Sequence, residues 1–188
     1  MAQRIETWFG NLYDPSAKIP AEHKQLAPRE LVIIACGLLD AALAEVISLR
    51  FRDDRNESDG FLGVEGDSRA PAGTFGARIQ LAYLLGLIDA PMVRGLRGLK
   101  RLRNLMAHRV RIDLLSSDAQ SCLDTVRGVF LSEVASDPEH RAKVEGMCEA
   151  SRTDLQTAKA MLLIWLHMCQ TMLASRHPLI TRVDAPFE

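Results

Sequence analysis

An arginine, an amide and a histidine gathered at the end of one helix can bind a phosphodiester and cleave it. The stretch Arg103-Asn104-Leu105-Met106-Ala107-His108 supplies that set. In metal-independent RNA cleavage, His108 would serve as general base or acid toward a 2′-hydroxyl, Arg103 would stabilise charge on the phosphorane, and Asn104 would hold the phosphate. The same three residues can instead staple a helical core, and both alternatives stand at the level of the sequence.

Neither a metal nor a cofactor is expected. His23, His108, His140, His167 and His177 are widely separated and form no i, i+4 ligand pair with an acid or with one another. No serine or cysteine sits in a nucleophile turn motif. The glycines Gly60, Gly63, Gly66 and Gly73 lack both a following Gly-Lys-Ser/Thr and a preceding strand, so they make no phosphate loop.

The elements that must position the motif read as helices throughout. A first helix opens at Pro28, with Glu30 in its first turn, and runs to about Phe51. Residues 52 to 73 read as a loop by composition. A second helix runs from about Thr74 to Leu85 and is stopped by Gly86, with Leu87 and Ile88 folding back onto it. Asp89 caps a third helix, which has Pro91 in its first turn and reaches about Ala107. A fourth spans about Ser117 to Val134, capped by Ser117 or Asp118. Asp137-Pro138-Glu139 opens a long helical stretch to about Ser175, with a break near Gly146 or at Ser151 to Asp154, and Pro178 ends it.

No segment alternates as a strand and no repeat is visible. The expectation is an all-α, single-domain bundle of five or six helices: a loosely structured lead-in over 1–27 that packs Trp8, Phe9 and Leu12, a helical core over 28–135, and a long C-terminal helix and tail over 136–188.

On a wheel of about 100° per residue, Met92, Leu96, Leu99, Met106 and Val110 form one apolar stripe with Arg103 in its middle. Asp40 is the only charge between Leu31 and Ala44 and shares its stripe with Ile33, Cys36, Leu43 and Ile47. Arg78 flanks the stripe of Phe75, Ile79, Ala82 and Leu85. An unpaired charge costs several kcal/mol to bury, so a buried cluster of Asp40, Arg78 and Arg103 is expected to link three helices. His108 falls about 140° from Arg103 on an ideal helix, whereas Asn104 and His108 share a face as an i, i+4 pair. Arg103 and His108 therefore converge on one ligand only if the helix loosens after Ala107 or a second subunit supplies the other half, which points to a homodimer.

Arg94, Arg97, Lys100, Arg101, Arg103, Arg109 and Arg111 lie between Asp89 and Asp113 with no acid among them. Arg94, Arg97, Arg101 and His108 form one exposed stripe, either a solvated face answered by acids such as Asp53, Asp54 and Glu57 or an anion-binding strip. Lys+Arg 23 against Asp+Glu 24 gives a net charge of -1, so there is no broad cationic surface for direct DNA binding. Cys36, Cys122, Cys148 and Cys169 show no C-x-x-C spacing and read as free thiols in a reducing cytoplasm. No secretory signal is visible, and the longest purely apolar run, Leu31 to Leu39, is too short to span a bilayer. The apolar run about Trp165, from Met161 on to Met172, reads as core or subunit interface.

The run from Gly73 to Ile88, with Phe75, Arg78, Ile79, Leu81, Ala82, Tyr83, Leu85 to Ile88 in a pattern F-x-x-R-I-x-L-A-Y-x-L-G-L-I, together with R-N-x-x-A-H at Arg103 to His108 and the aspartate Asp40, resembles the mannitol operon repressor family over about residues 30 to 130. The Arg-Asn-x-x-x-His end is also similar to the motif of HEPN domains, helical dimers that include many metal-independent ribonucleases. The first resemblance implies a regulatory role in sugar-operon transcription. With no basic helix-turn-helix in the chain, that role is expected to run through a protein partner rather than by direct operator binding. The second implies an endoribonuclease using Arg103, Asn104 and His108 across a dimer interface, with RNA as the ligand.

Overall fold

The computed structural model describes residues 25–52, 54–64, 66–109, 112–133 and 136–176. The packing of Trp8, Phe9 and Leu12, the place of Val110 in the apolar stripe, Asp53, Arg111, His23, His177 and the stop at Pro178 lie outside them. Among the described residues the chain is all-helical. The elements are α1 (Pro28–Ser48), α2 (Arg55–Leu62), α3 (Phe75–Leu84), α4 (Ala90–His108), α5 (Ser117–Glu133), α6 (Pro138–Ala150) and α7 (Leu155–Arg176). Among the described residues there are seven helices where five or six were expected: the C-terminal stretch breaks at 151–154, one of the two places expected, and the additional helix sits in the presumed loop.

Local chemistry accounts for the boundaries. Glu30 reaches back to accept the backbone N–H of Ala27 at 2.9 Å as α1 begins. α2 overturns the loop expected over 52–73: Asp54 accepts from the backbone N–H of Glu57, and Gly63, at φ 60, supplies the left-handed C-terminal cap. This helix has eight residues and buries only Leu62, so it leaves almost no periodic trace in a polar, glycine-rich stretch. Thr74 caps α3 through the N–H of Ala77. Past its end Gly86 takes φ 69, while Leu87 N–H bonds Ala82 O and Gly86 N–H bonds Tyr83 O, a paired closure that folds Leu87 and Ile88 inward. Ser116, rather than Ser117 or Asp118, offers its hydroxyl to the first turn of α5, at the N–H of Ala119. Asp137 caps α6 through the N–H groups of Glu139 and His140, and Asp154 accepts from both Thr157 N–H and Thr157 Oγ1 at the start of α7.

The contacts divide the chain into two compact units. Of the described residues, one takes 37–89 and 169–176, and the other takes 25–36 and 90–168. In the first, Leu39, Leu43, Ile47, Leu62 and Ile79 are fully buried. Phe51 meets Phe61 edge to face, 5.6 Å between centroids. In the second, α4 buries Leu96, Leu99, Leu102 and Met106, and Cys36 Sγ donates to Leu99 O at 3.6 Å. Gly98 lets α4 approach α5 closely, since a Cβ there would lie 2.9 Å from that of Thr125. Gly95 makes room for Trp165, which also meets the ring of Phe130 at 6.0 Å.

α1 is long and apolar enough to cross a membrane by length and composition, although the unbroken apolar run from Leu31 to Leu39 is not. More than half of its most apolar window is buried inside the protein, the pattern of a core helix.

Candidate functional site

α4 carries the residues singled out by their chemistry. Its buried set is Met92, Val93, Gly95, Leu96, Gly98, Leu99, Leu102 and Met106. Arg94, Arg97, Arg101, Arg103 and His108 are exposed, and Asn104 is half-buried. Arg101 Nη2 donates to Thr125 Oγ1 at 3.2 Å. The side chains of Arg94, Arg97 and Lys100 make no hydrogen bond or ion pair among the described residues.

Arg103 requires a correction. It is exposed, and its Nη1 donates to Oδ1 of the adjacent Asn104 at 3.0 Å. It is therefore no member of a buried charge cluster. The wheel failed because it assumes uniform coverage along the axis. Met92, Val93 and Leu96 are covered on one flank early in α4, but its second half buries Gly98, Leu99, Leu102 and Met106, and the covered arc slides away from Arg103. The long side chain then carries its head into water.

The other two members of that cluster do pair. Arg78 Nη1 donates to Asp40 Oδ1 at 2.6 Å, Nη2 to Leu62 O at 2.6 Å, and Nε to Ala72 O at 3.0 Å. Its guanidinium thus ties α1 to the carbonyls on both sides of the 63–73 connection. This is a structural clamp with its charge and donors satisfied.

A third arginine escaped the sequence reading. Arg127 on α5 is 3% exposed. Its Nε donates to Ser151 Oγ at 2.9 Å, Nη1 to Asp124 Oδ1 at 2.7 Å and Nη2 to Gln120 Oε1 at 2.5 Å. Gln120 in turn donates to Leu114 O, and Arg152 pairs with Asp124 at 2.9 Å. The network fastens α5 to the turn between α6 and α7. Its signal was present: Arg127 lies among Leu123, Val126 and Phe130, all buried, as Arg103 does among apolar neighbours in sequence.

The end of α4 that presents Asn104 and His108 is held in place. Arg109, the next residue, forms an ion pair with Asp118 on α5, and its carbonyl accepts from Arg29 Nη2 on α1. Asn104 and His108 stay one turn apart on a shared flank. The Arg103–Asn104 bond draws the guanidinium toward that flank, which bridges part of the angular gap that an ideal helix leaves between Arg103 and His108.

No cysteine forms a disulfide among the described residues. Burial raises the pKa of Cys122, only partly countered by Arg101; burial likewise raises Cys148 and pushes the enclosed Cys169 well above the ordinary thiol range. Cys122, Cys148 and Cys169 thus lack the lowered pKa of a nucleophile. The chemistry open to α4 is therefore anion binding by arginine, with His108 exposed as a group for proton transfer. Comparison of the chain with protein-family models, with curated proteins and with solved structures finds no match.

Proposed function

We propose that the protein is a non-enzymatic, homodimeric regulatory protein of the cytoplasm that acts by docking the outer face of α4 on an acidic protein partner. The observation that carries this role is the absence of a counter-charge: Arg94 and Arg97 are exposed with no acid bonded to them among the described residues. An unanswered arginine row offers steering and bidentate contacts to carboxylates. A net charge of -1 argues against non-specific DNA binding as the purpose of that row. The transcriptional co-regulator implied by the resemblance to mannitol operon repressors is the cellular role that fits this mode of action. In the test, poly-L-glutamate binding is measured against salt for the wild type and for Arg94→Glu/Arg97→Glu. Salt-sensitive binding that the double reversal abolishes supports the role, and equal binding by both proteins rejects it.

A second role, a HEPN-type endoribonuclease, is favoured by one specific observation. Arg103 is exposed and is turned by Asn104 toward the flank that carries His108. Incubation with mixed RNA separates the two roles. Cleavage by the wild type that disappears in Arg103→Ala/His108→Ala supports the enzyme, and equal inertness of both supports the docking protein.

A further inference from the structure

The outer face of α4 is a straight seam. Ala90, Arg94, Arg97, Arg101, Asn104 and His108 follow one another at alternating intervals of four and three residues, the spacing by which one helix keeps a continuous face turned toward a second helix. At about 1.5 Å per residue the seam runs roughly 27 Å, and its three arginines stand about 4.5 and 6 Å apart along the axis. All three are exposed. The helix beneath them is firmly seated: a Cβ at Gly98 would stand 2.9 Å from that of Thr125 on α5, and one at Gly95 would strike the Trp165 ring. Thr125 Oγ1 also accepts from Arg101 Nη2 at 3.2 Å, which orients one guanidinium of the row.

Charge and spacing together select what covers this seam. Like charges one turn apart on a helix repel, and Arg94 and Arg97 have no acid bonded to them among the described residues. Three cations spread over about 10.5 Å of axis suit a ligand whose negative charges repeat at the same interval. A helix with carboxylates at four-and-three spacing is such a ligand. Nucleic acid fits less well, because α4 has no aromatic side chain on which bases would stack and the net charge of -1 gives no broad attraction to a polyphosphate. A second copy of this chain also fits less well. On α6 the acids Glu139, Glu145 and Glu149 are already paired with Lys143, Arg141 and Arg152, and α7 contains no acid.

We propose that α4 docks side by side with an acidic helix of another protein, whose glutamates or aspartates meet Arg94, Arg97 and Arg101 in a coiled-coil-like register. The inference rests on the docking role proposed above and specifies the partner's form. Two labelled peptides of about eighteen residues, long enough to span the seam, are titrated against the full chain by fluorescence anisotropy. One carries glutamates at four-and-three spacing on a single face; the other has the same composition with the glutamates spread round the helix, and circular dichroism verifies equal helicity. The expected result is a dissociation constant at least about tenfold lower for the single-face peptide, with that preference lost in Arg94→Glu/Arg97→Glu. The comparison of peptides needs only the wild type, so it holds even if the variant does not fold. Equal affinity for the two peptides, single-face binding that survives the double reversal, or displacement of that peptide by an oligouridylate of equal charge would overturn the proposal. If poly-L-glutamate binds in a salt-sensitive way while the two peptides bind alike, this inference fails and the docking role stands; if neither polymer nor peptide binds, both fail.

Discussion

Arg78 Nη1 lies 2.6 Å from Asp40 Oδ1, with the arginine side chain 7% exposed and the aspartate 29%. Removing the guanidinium takes its charge from beside a half-buried carboxylate and unties the carbonyls of Leu62 and Ala72. Arg78→Ala is expected to cost about 3 kcal/mol, in line with other broken buried pairs. That corresponds to a fall in Tm of roughly 6–12 °C for a chain of this size. Arg103→Ala, at an exposed position, is expected to stay within about 0.5 kcal/mol of the wild type. Chemical denaturation of the two variants side by side checks the contrast, and similar losses in both would contradict the assignment of Arg78 as the clamp.

At Gly95 a Cβ would lie 2.3 Å from Cζ2 of the Trp165 indole. Alanine ordinarily gains about 1 kcal/mol over glycine inside a helix, but forcing a methyl into a filled core costs about 1–3 kcal/mol. The clash is expected to win, so Gly95→Ala destabilises. In a Trp165→Phe background, where the six-membered ring of the indole is gone, the penalty should shrink; a double-mutant cycle by urea denaturation measures that coupling.

Gly128 on α5 and Gly146 on α6 show the opposite environment: beyond the adjoining backbone of its own helix, nothing lies within 4 Å of a built Cβ. Both are exposed helix-interior positions. Gly128→Ala and Gly146→Ala are each expected to stabilise by about 0.5–1 kcal/mol. Unchanged or lower midpoints in thermal melts would show that the positions are packed in solution.

Asp137 has its pKa lowered chiefly by the backbone N–H of His140, then by that residue's side chain. Asp154 is lowered by the hydroxyl and then the backbone N–H of Thr157. A depressed folded pKa means the unfolded chain binds protons first as pH falls. The caps thus contribute fully above the unfolded value of 3.8 and are lost as pH drops through the lower folded values. In Asp137→Asn/Asp154→Asn the amides keep the cap acceptor without the charge. The variant's Tm is therefore expected to vary less than the wild type's between about pH 5 and pH 3, and parallel pH profiles would count against the two caps.

Arg127→Leu removes a guanidinium that bonds Ser151, Asp124 and Gln120. The expected cost is about 3 kcal/mol, with Ser151 Oγ and the Gln120 amide losing their buried partner. Hydrogen exchange should rise first at the turn over 151–154. Protection that is unchanged there would place the network's contribution elsewhere.

Helical class, most boundaries and the inward closure after Gly86 were legible along the chain because they depend on neighbours three to five residues apart. Thr74, Gly86 and Asp137 act through bonds to their own turn, and Pro28 through its fixed φ and missing N–H, and these local devices are present wherever the helix ends up. α2 was missed although Asp54, Glu57 and Gly63 spell its caps, because a helix that buries one residue has no apolar rhythm to announce it.

The fate of three arginines set among apolar residues was decided only by tertiary structure. By local pattern Arg78, Arg103 and Arg127 are alike. Arg78 is buried where Asp40 and two carbonyls meet it, Arg127 where Ser151 and Gln120 meet it, and Arg103, bonded among the described residues to its neighbour Asn104, faces water. Sequence determines which residues can stand on a helix face. Whether that face is covered depends on elements tens of residues away, since the cost of burying a charge is offset only where a distant chain segment delivers its partner.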